Sequence, residues 1–108
     1  MTQDRIRQLL AEGEGLTIEY KECVSSLSKS VWETVCAFSN RFGGHLILGV
    51  TDNGEVLGIN RSVAKQMKKD FANTLNNPQK MSPLLHLSLT EVELDHKLLL
   101  HVYIPPSA

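Results

Sequence analysis

Ala37-Phe-Ser-Asn-Arg-Phe-Gly-Gly-His-Leu-Ile-Leu-Gly-Val50 decides the fold. Upstream of the glycine pair, Val31, Val35, Phe38 and Phe42 recur at helical spacing, with Trp32 and Cys36 widening the stripe. This predicts a buried helix over residues 28–42, with Ser28 as its N-cap. Gly43-Gly44 stops that helix, because glycine takes the left-handed cap conformation without steric penalty. The apolar run 45–51 then reads as a buried strand. The order is helix then strand. Phosphate-cradling loops run from strand into helix, and no Gly-x-x-x-x-Gly-Lys-Ser/Thr occurs, so this glycine pair is not an ATP site.

Working outward, Ile6, Leu9 and Leu10 lie behind Asp4 and predict a short helix over residues 3–11, stopped by Gly13 and Gly15. From Leu16 the period changes to two: Leu16, Ile18 and Tyr20 share one face of a strand, and Thr17, Glu19 and Lys21 the other. Asn53-Gly54 suits a two-residue hairpin turn, which makes residues 56–59 a returning strand. Ala64, Met67, Phe71 and Leu75 then form the apolar stripe of a third helix, broken near Asn76-Asn77-Pro78. Arg61, Lys65, Lys68 and Lys69 lie off that stripe. Pro83 bounds a last strand pair, residues 85–93 and 97–104, turning at Asp95-His96. The predicted class is α/β (α+β): a single compact domain in the order α-β-α-β-β-α-β-β, with a mixed or mainly antiparallel sheet and packed helices.

A chain of 108 residues, 42% hydrophobic and 21% charged, suits one globular core. No apolar run approaches the roughly 20 residues of a membrane-spanning helix, and the first residues lack a signal-like stretch, so a cytoplasmic location without membrane association is expected. The domain is expected to fill residues 1–104, with Pro105-Pro106 opening a linker, residues 105–108, to a C-terminal region beyond this sequence. With 11 Lys and Arg against 12 Asp and Glu, the net charge of -1 gives no overall attraction for a polyanion. Nucleic-acid binding must therefore use a local patch.

Cys23 and Cys36 match no zinc spacing. His45, His86, His96 and His101 are scattered over different elements and read as surface or hydrogen-bonded residues. The serines between Ser25 and Ser30 form no nucleophile elbow, which leaves capping and loop roles. The carboxylates Glu14, Glu19 and Asp52 are more informative. Glu19 sits on the polar face of the first strand and Asp52 where the second strand enters its turn, so they converge if the two strands are neighbours. Three clustered carboxylates would favour Mg²⁺ or Mn²⁺, which activates water at a phosphodiester. Ordinary turn and solvated-strand roles explain the same residues. Lys21, on the strand face of Glu19, is placed to touch a phosphate. Arg61, Lys65, Lys68 and Lys69 read either as a solvated helix face or as a nucleic-acid contact surface.

Ile18-Glu-Tyr-Lys21, Ala37-Phe-Ser-Asn-Arg-Phe-Gly-Gly44, Leu46-Ile-Leu-Gly-Val50, Asp52 and Gly58 together resemble the Schlafen-type AlbA-like domain, over nearly the whole chain. In bacteria such domains stand at the N-terminus of transcriptional regulators, before an ATPase-like or winged-helix part, so the resemblance implies DNA as partner. In the eukaryotic branch the same kind of domain is an RNA endonuclease using two glutamates and an aspartate, which the resemblance places at Glu14, Glu19 and Asp52. Arg41 and Phe42 depart from the family pattern, which often has a small hydroxyl residue there. The nuclease branch also pairs two such domains in a basic horseshoe that one slightly acidic domain lacks. DNA binding is therefore the preferred expectation, with a homodimer as the means of recreating a two-lobed surface. Metal-dependent RNA cleavage and a purely structural or dimerisation role are the alternatives.

Overall fold

The computed structural model describes residues 2–75 and 87–107. The elements are α1 (Gln3–Glu12), β1 (Ile18–Lys21), α2 (Lys29–Ser39), β2 (Gly44–Leu48), α3 (Arg61–Leu75), β3 (Thr90–Leu94) and β4 (Lys97–Ile104). They build a single α+β domain around a four-stranded mixed sheet of order β1-β2-β4-β3. β1 and β2 are parallel, and the other two pairs are antiparallel. The predicted break at residues 76–78, the boundary at Pro83, the start of the 85–93 strand and His86 lie outside the described residues.

Helices cover both sheet faces. Val31, Val35 and Phe38 of α2 and Ala64, Met67, Phe71 and Leu75 of α3 pack on Leu46 and Leu48 of β2 and on Leu98, Leu100, Val102 and Ile104 of β4. The α3 stripe is the one read from the sequence, and Met67, Phe71 and Leu75 each contribute about 1.5–3 kcal/mol on burial. On the opposite face Ile6 and Leu9 of α1 cover Ile18, Tyr20, Ile47, Val92, Leu94 and Leu99. This two-sided burial explains why β2 and β4 are apolar at successive positions where a half-exposed strand alternates. The Tyr20 hydroxyl, buried beneath α1, donates to the Leu9 carbonyl at 2.9 Å.

Several boundaries differ from the sequence expectation. α1 begins at residue 3 as expected and runs one residue further, to Glu12, with Thr2 Oγ1 capping it by accepting the Arg5 N–H. α2 ends at Ser39, so Phe42 lies beyond it and is 69% exposed; Cys36 also faces outward. Ser28 occupies the N-cap position, but its hydroxyl bonds the Ser30 hydroxyl and leaves the helix backbone uncapped. Leu16 precedes β1 and is exposed. Gly43, at φ 76, makes the reversal into β2, with its N–H bonded to the Phe38 carbonyl. The turn at Asn53-Gly54 forms, but residues 56–59 return through one bridge, Val50 to Val56, without a ladder. Gly49, at φ 98, is the cause: its carbonyl accepts the N–H groups of both Leu57 and Gly58, which bends the chain out of the sheet.

Candidate functional site

The parallel pairing of β1 with β2 places Glu19 beside Leu46 and Lys21 beside Leu48. The N–H groups of Gly49 and Val50 both bond the Lys21 carbonyl, which brings the turn containing Asp52 to the end of β1. Glu14 comes from the loop after α1. Gly15 closes a tight turn, with its N–H on the Ile18 carbonyl, and Glu14 Oε2 accepts the Tyr20 N–H at 2.9 Å. A side chain thereby occupies a donor on the open edge of the sheet.

This geometry sets Glu14 against Glu19. Partial burial is the largest cause raising the Glu19 carboxyl, followed by its hydrogen bond to Glu14 and the Glu14 charge; Asp52 adds to them and Lys21 opposes. The Glu19 carboxyl is pushed up to about 7. Lys21 Nζ stands 3.7 Å from Glu19 Oε1. The cluster can thus hold or release one proton near neutrality beside an ammonium group suited to a phosphate. Asp52 acts on Glu19 through its field, and among the described residues no group of three His, Cys, Asp or Glu side chains is placed to hold a metal ion. The arrangement offers a carboxylate pair, where the Mg²⁺ or Mn²⁺ reading requires three converging ligands.

The basic residues of α3 divide into two kinds. Arg61 bonds Glu93, and Lys68 bonds Glu91, both glutamates standing on β3. Lys65 and Lys69, one helical turn apart, are exposed and make no ion pair among the described residues. The sequence pattern identified the outward face but gave no sign of the two glutamates, which reach it only through tertiary packing.

A feature absent from the sequence reading lies on the α1 side of the sheet. His45 Nδ1 and His101 Nε2 are 3.0 Å apart, and the His45 ring lies 5.1 Å from that of Tyr103. His101 is buried, and that burial, with the His45 charge secondary, lowers its imidazole to about 4. Burial also lowers His45, with Arg5 adding to the effect. The available signal was β4 itself: alternation from Leu99 carries His101 and Tyr103 to one face.

Residues 14–108 match the family model described as Schlafen, AlbA_2. The solution structure of the N-terminal domain of a RecG-related protein from Nitrosomonas europaea is 28% identical, with a TM-score of 0.73 over 100% of this chain and 75% of that one. The crystal structure of the DIP2311 protein from Corynebacterium diphtheriae shares the fold at 11% identity, with a TM-score of 0.60 over 96% of this chain and 25% of that one. No curated protein matches. The family match spans the carboxylate pair, both exposed lysines and the histidine pair, and the chain belongs to the Schlafen AlbA_2 family, as a nucleic-acid-related domain.

Proposed function

We propose that this domain binds DNA as part of a bacterial transcriptional regulator, with Lys65 and Lys69 contacting backbone phosphates. The observation that carries the reading is that these two cations have no ion pair among the described residues, beside neighbours already neutralised by glutamate. Family membership supports it, as does the name of the Nitrosomonas relative, which ties that protein to ATP-dependent DNA helicases. Contacts of this kind position a duplex without reading its sequence. A gel shift with duplex DNA at low salt is expected to show a complex that Lys65→Glu/Lys69→Glu abolishes; a shift unchanged by that double variant contradicts the assignment.

A second reading is favoured by the contact of Glu14 with Glu19: cleavage of RNA, with Lys21 holding the phosphate. Incubation with transfer RNA, with and without Mn²⁺, tests it. Cleavage lost in Glu19→Ala supports a nuclease, whereas an intact substrate, or cleavage unaffected by that variant, removes it.

A further inference from the structure

α1 leaves one corner of its sheet face uncovered. Ile6 and Leu9 close over Ile18, Tyr20, Ile47, Val92 and Leu99, but the row that starts at Ile18 continues in register through His45 to Tyr103, which α1 leaves exposed. At this end Tyr103 is 47% exposed and His45 half-buried. β3 begins at Thr90, opposite His101, so no strand of the sheet flanks Tyr103 on that side.

The platform is rigid for a physical reason. The His45 and His101 centroids are 5.2 Å apart while their facing nitrogens are 3.0 Å apart, so the rings meet edge to edge through one N–H···N bond. Their depressed basicity keeps both neutral at pH 7, which preserves one donor and one acceptor in that bond. Thr90 Oγ1 donates to the His101 carbonyl and fastens the same position to β3. Tyr103 therefore stands on a fixed support.

The surrounding charge is mixed but leans towards a polyanion. Arg5 is exposed on α1, hydrogen-bonded to Gln8, and its field reaches both histidines; Glu12 opposes it at His45. Arg41, also exposed, lies at the same end of the sheet, because neighbouring Gly43 abuts the Ile104 carbonyl and Pro106. The surface offers planar rings with polar edges beside arginines, the chemistry that takes unpaired bases and their phosphates.

We infer that this open corner of the sheet is a stacking platform for single-stranded nucleic acid, with a base lying on Tyr103 and the backbone passing Arg5. The inference deepens the nucleic-acid reading above and rests on it, while using a different surface from α3. Stacking needs a planar ring, so Tyr103→Phe retains binding, whereas Tyr103→Leu, which keeps apolar bulk, does not.

The test is fluorescence anisotropy with labelled 12-mer oligothymidylate and oligouridylate at low salt, alongside a labelled duplex. Tyr103→Ala and Tyr103→Leu are expected to weaken single-strand binding about tenfold, with Tyr103→Phe close to wild type and duplex binding unchanged. Amide shifts in ¹H–¹⁵N spectra of the wild-type protein should move at His45, His101 and Tyr103. Circular dichroism checks that each variant is folded. Single-strand binding insensitive to Tyr103→Ala, or shifts confined to α3, overturns the platform while the duplex reading stands. Duplex binding without single-strand binding has the same meaning. A wild-type protein that binds neither probe removes both proposals.

Discussion

Glu14 Oε2 accepts the backbone N–H of Tyr20 at 2.9 Å, and this bond holds the Glu14 carboxyl against Glu19, the preceding residue of the same strand. A neutral amide donor at the sheet edge thus organises a pair of acids. Two carboxyls in contact, one of them partly desolvated, favour retention of a proton that each alone would lose.

Stability should record that proton. Glu19 is raised from 4.5 to about 7, so between these values the folded chain binds more proton than the unfolded chain, and stability falls as pH rises. The contribution is complete below 4.5 and lost through 7. Glu19→Gln should therefore gain thermal midpoint relative to wild type across this window and be the more stable protein at pH 8. A midpoint difference independent of pH contradicts the carboxyl pair.

His101 should act in the opposite sense. Its imidazole falls from 6.5 to about 4, so the unfolded chain binds more proton between these values, and stability is lost as pH falls. His101→Gln should destabilise at pH 7 by breaking the bond to His45, yet lose less than wild type on acidification to pH 4. Parallel midpoint curves for the two proteins would show that His101 is not buried neutral.

Gly43 and Gly13 separate two reasons for glycine. Both have φ near 80°, but a Cβ at Gly43 would lie 2.6 Å from the Ile104 carbonyl oxygen, whereas one at Gly13 meets nothing within 4 Å. Gly13→Ala should cost about 1 kcal/mol from backbone strain alone, and Gly43→Ala about 3 kcal/mol or more, as read by urea denaturation. Equal losses would mean that the β2–β4 corner yields freely.

Glu91 and Glu93 hold two of the four α3 cations. Glu91→Gln/Glu93→Gln should release Lys68 and Arg61, raise duplex affinity severalfold and steepen its salt dependence, with stability changed by less than about 1 kcal/mol. An unchanged salt slope would show that these cations face away from the DNA.

The parts of this fold legible in the sequence are those written as local periodicity. Ala64, Met67, Phe71 and Leu75 marked the buried stripe of α3, and residues 97–104 marked β4, because one face or two must be apolar wherever a core covers them. What depended on distant partners was not legible. β4 inserts between β2 and β3, Glu91 and Glu93 reach α3 from another strand, and the side chain of Glu14 completes the edge of β1. Phe42 continued the spacing of α2 but lies outside it, because the turn at Gly43 begins before the pattern ends. β1 and β2 are neighbours, as convergence of Glu19 with Asp52 required, and the Asp52 charge reaches Glu19, while Glu14 meets Glu19 from the loop after α1 through its bond to the Tyr20 N–H.

For the proposed hold of Lys65 and Lys69 on DNA phosphates, the most direct measurement is the salt dependence of duplex binding for wild type and Lys65→Gln/Lys69→Gln. Two lost phosphate contacts should reduce the slope of log K against log salt by about 2. A wild-type protein that binds no duplex at low salt, or a double variant with the wild-type slope, would contradict it.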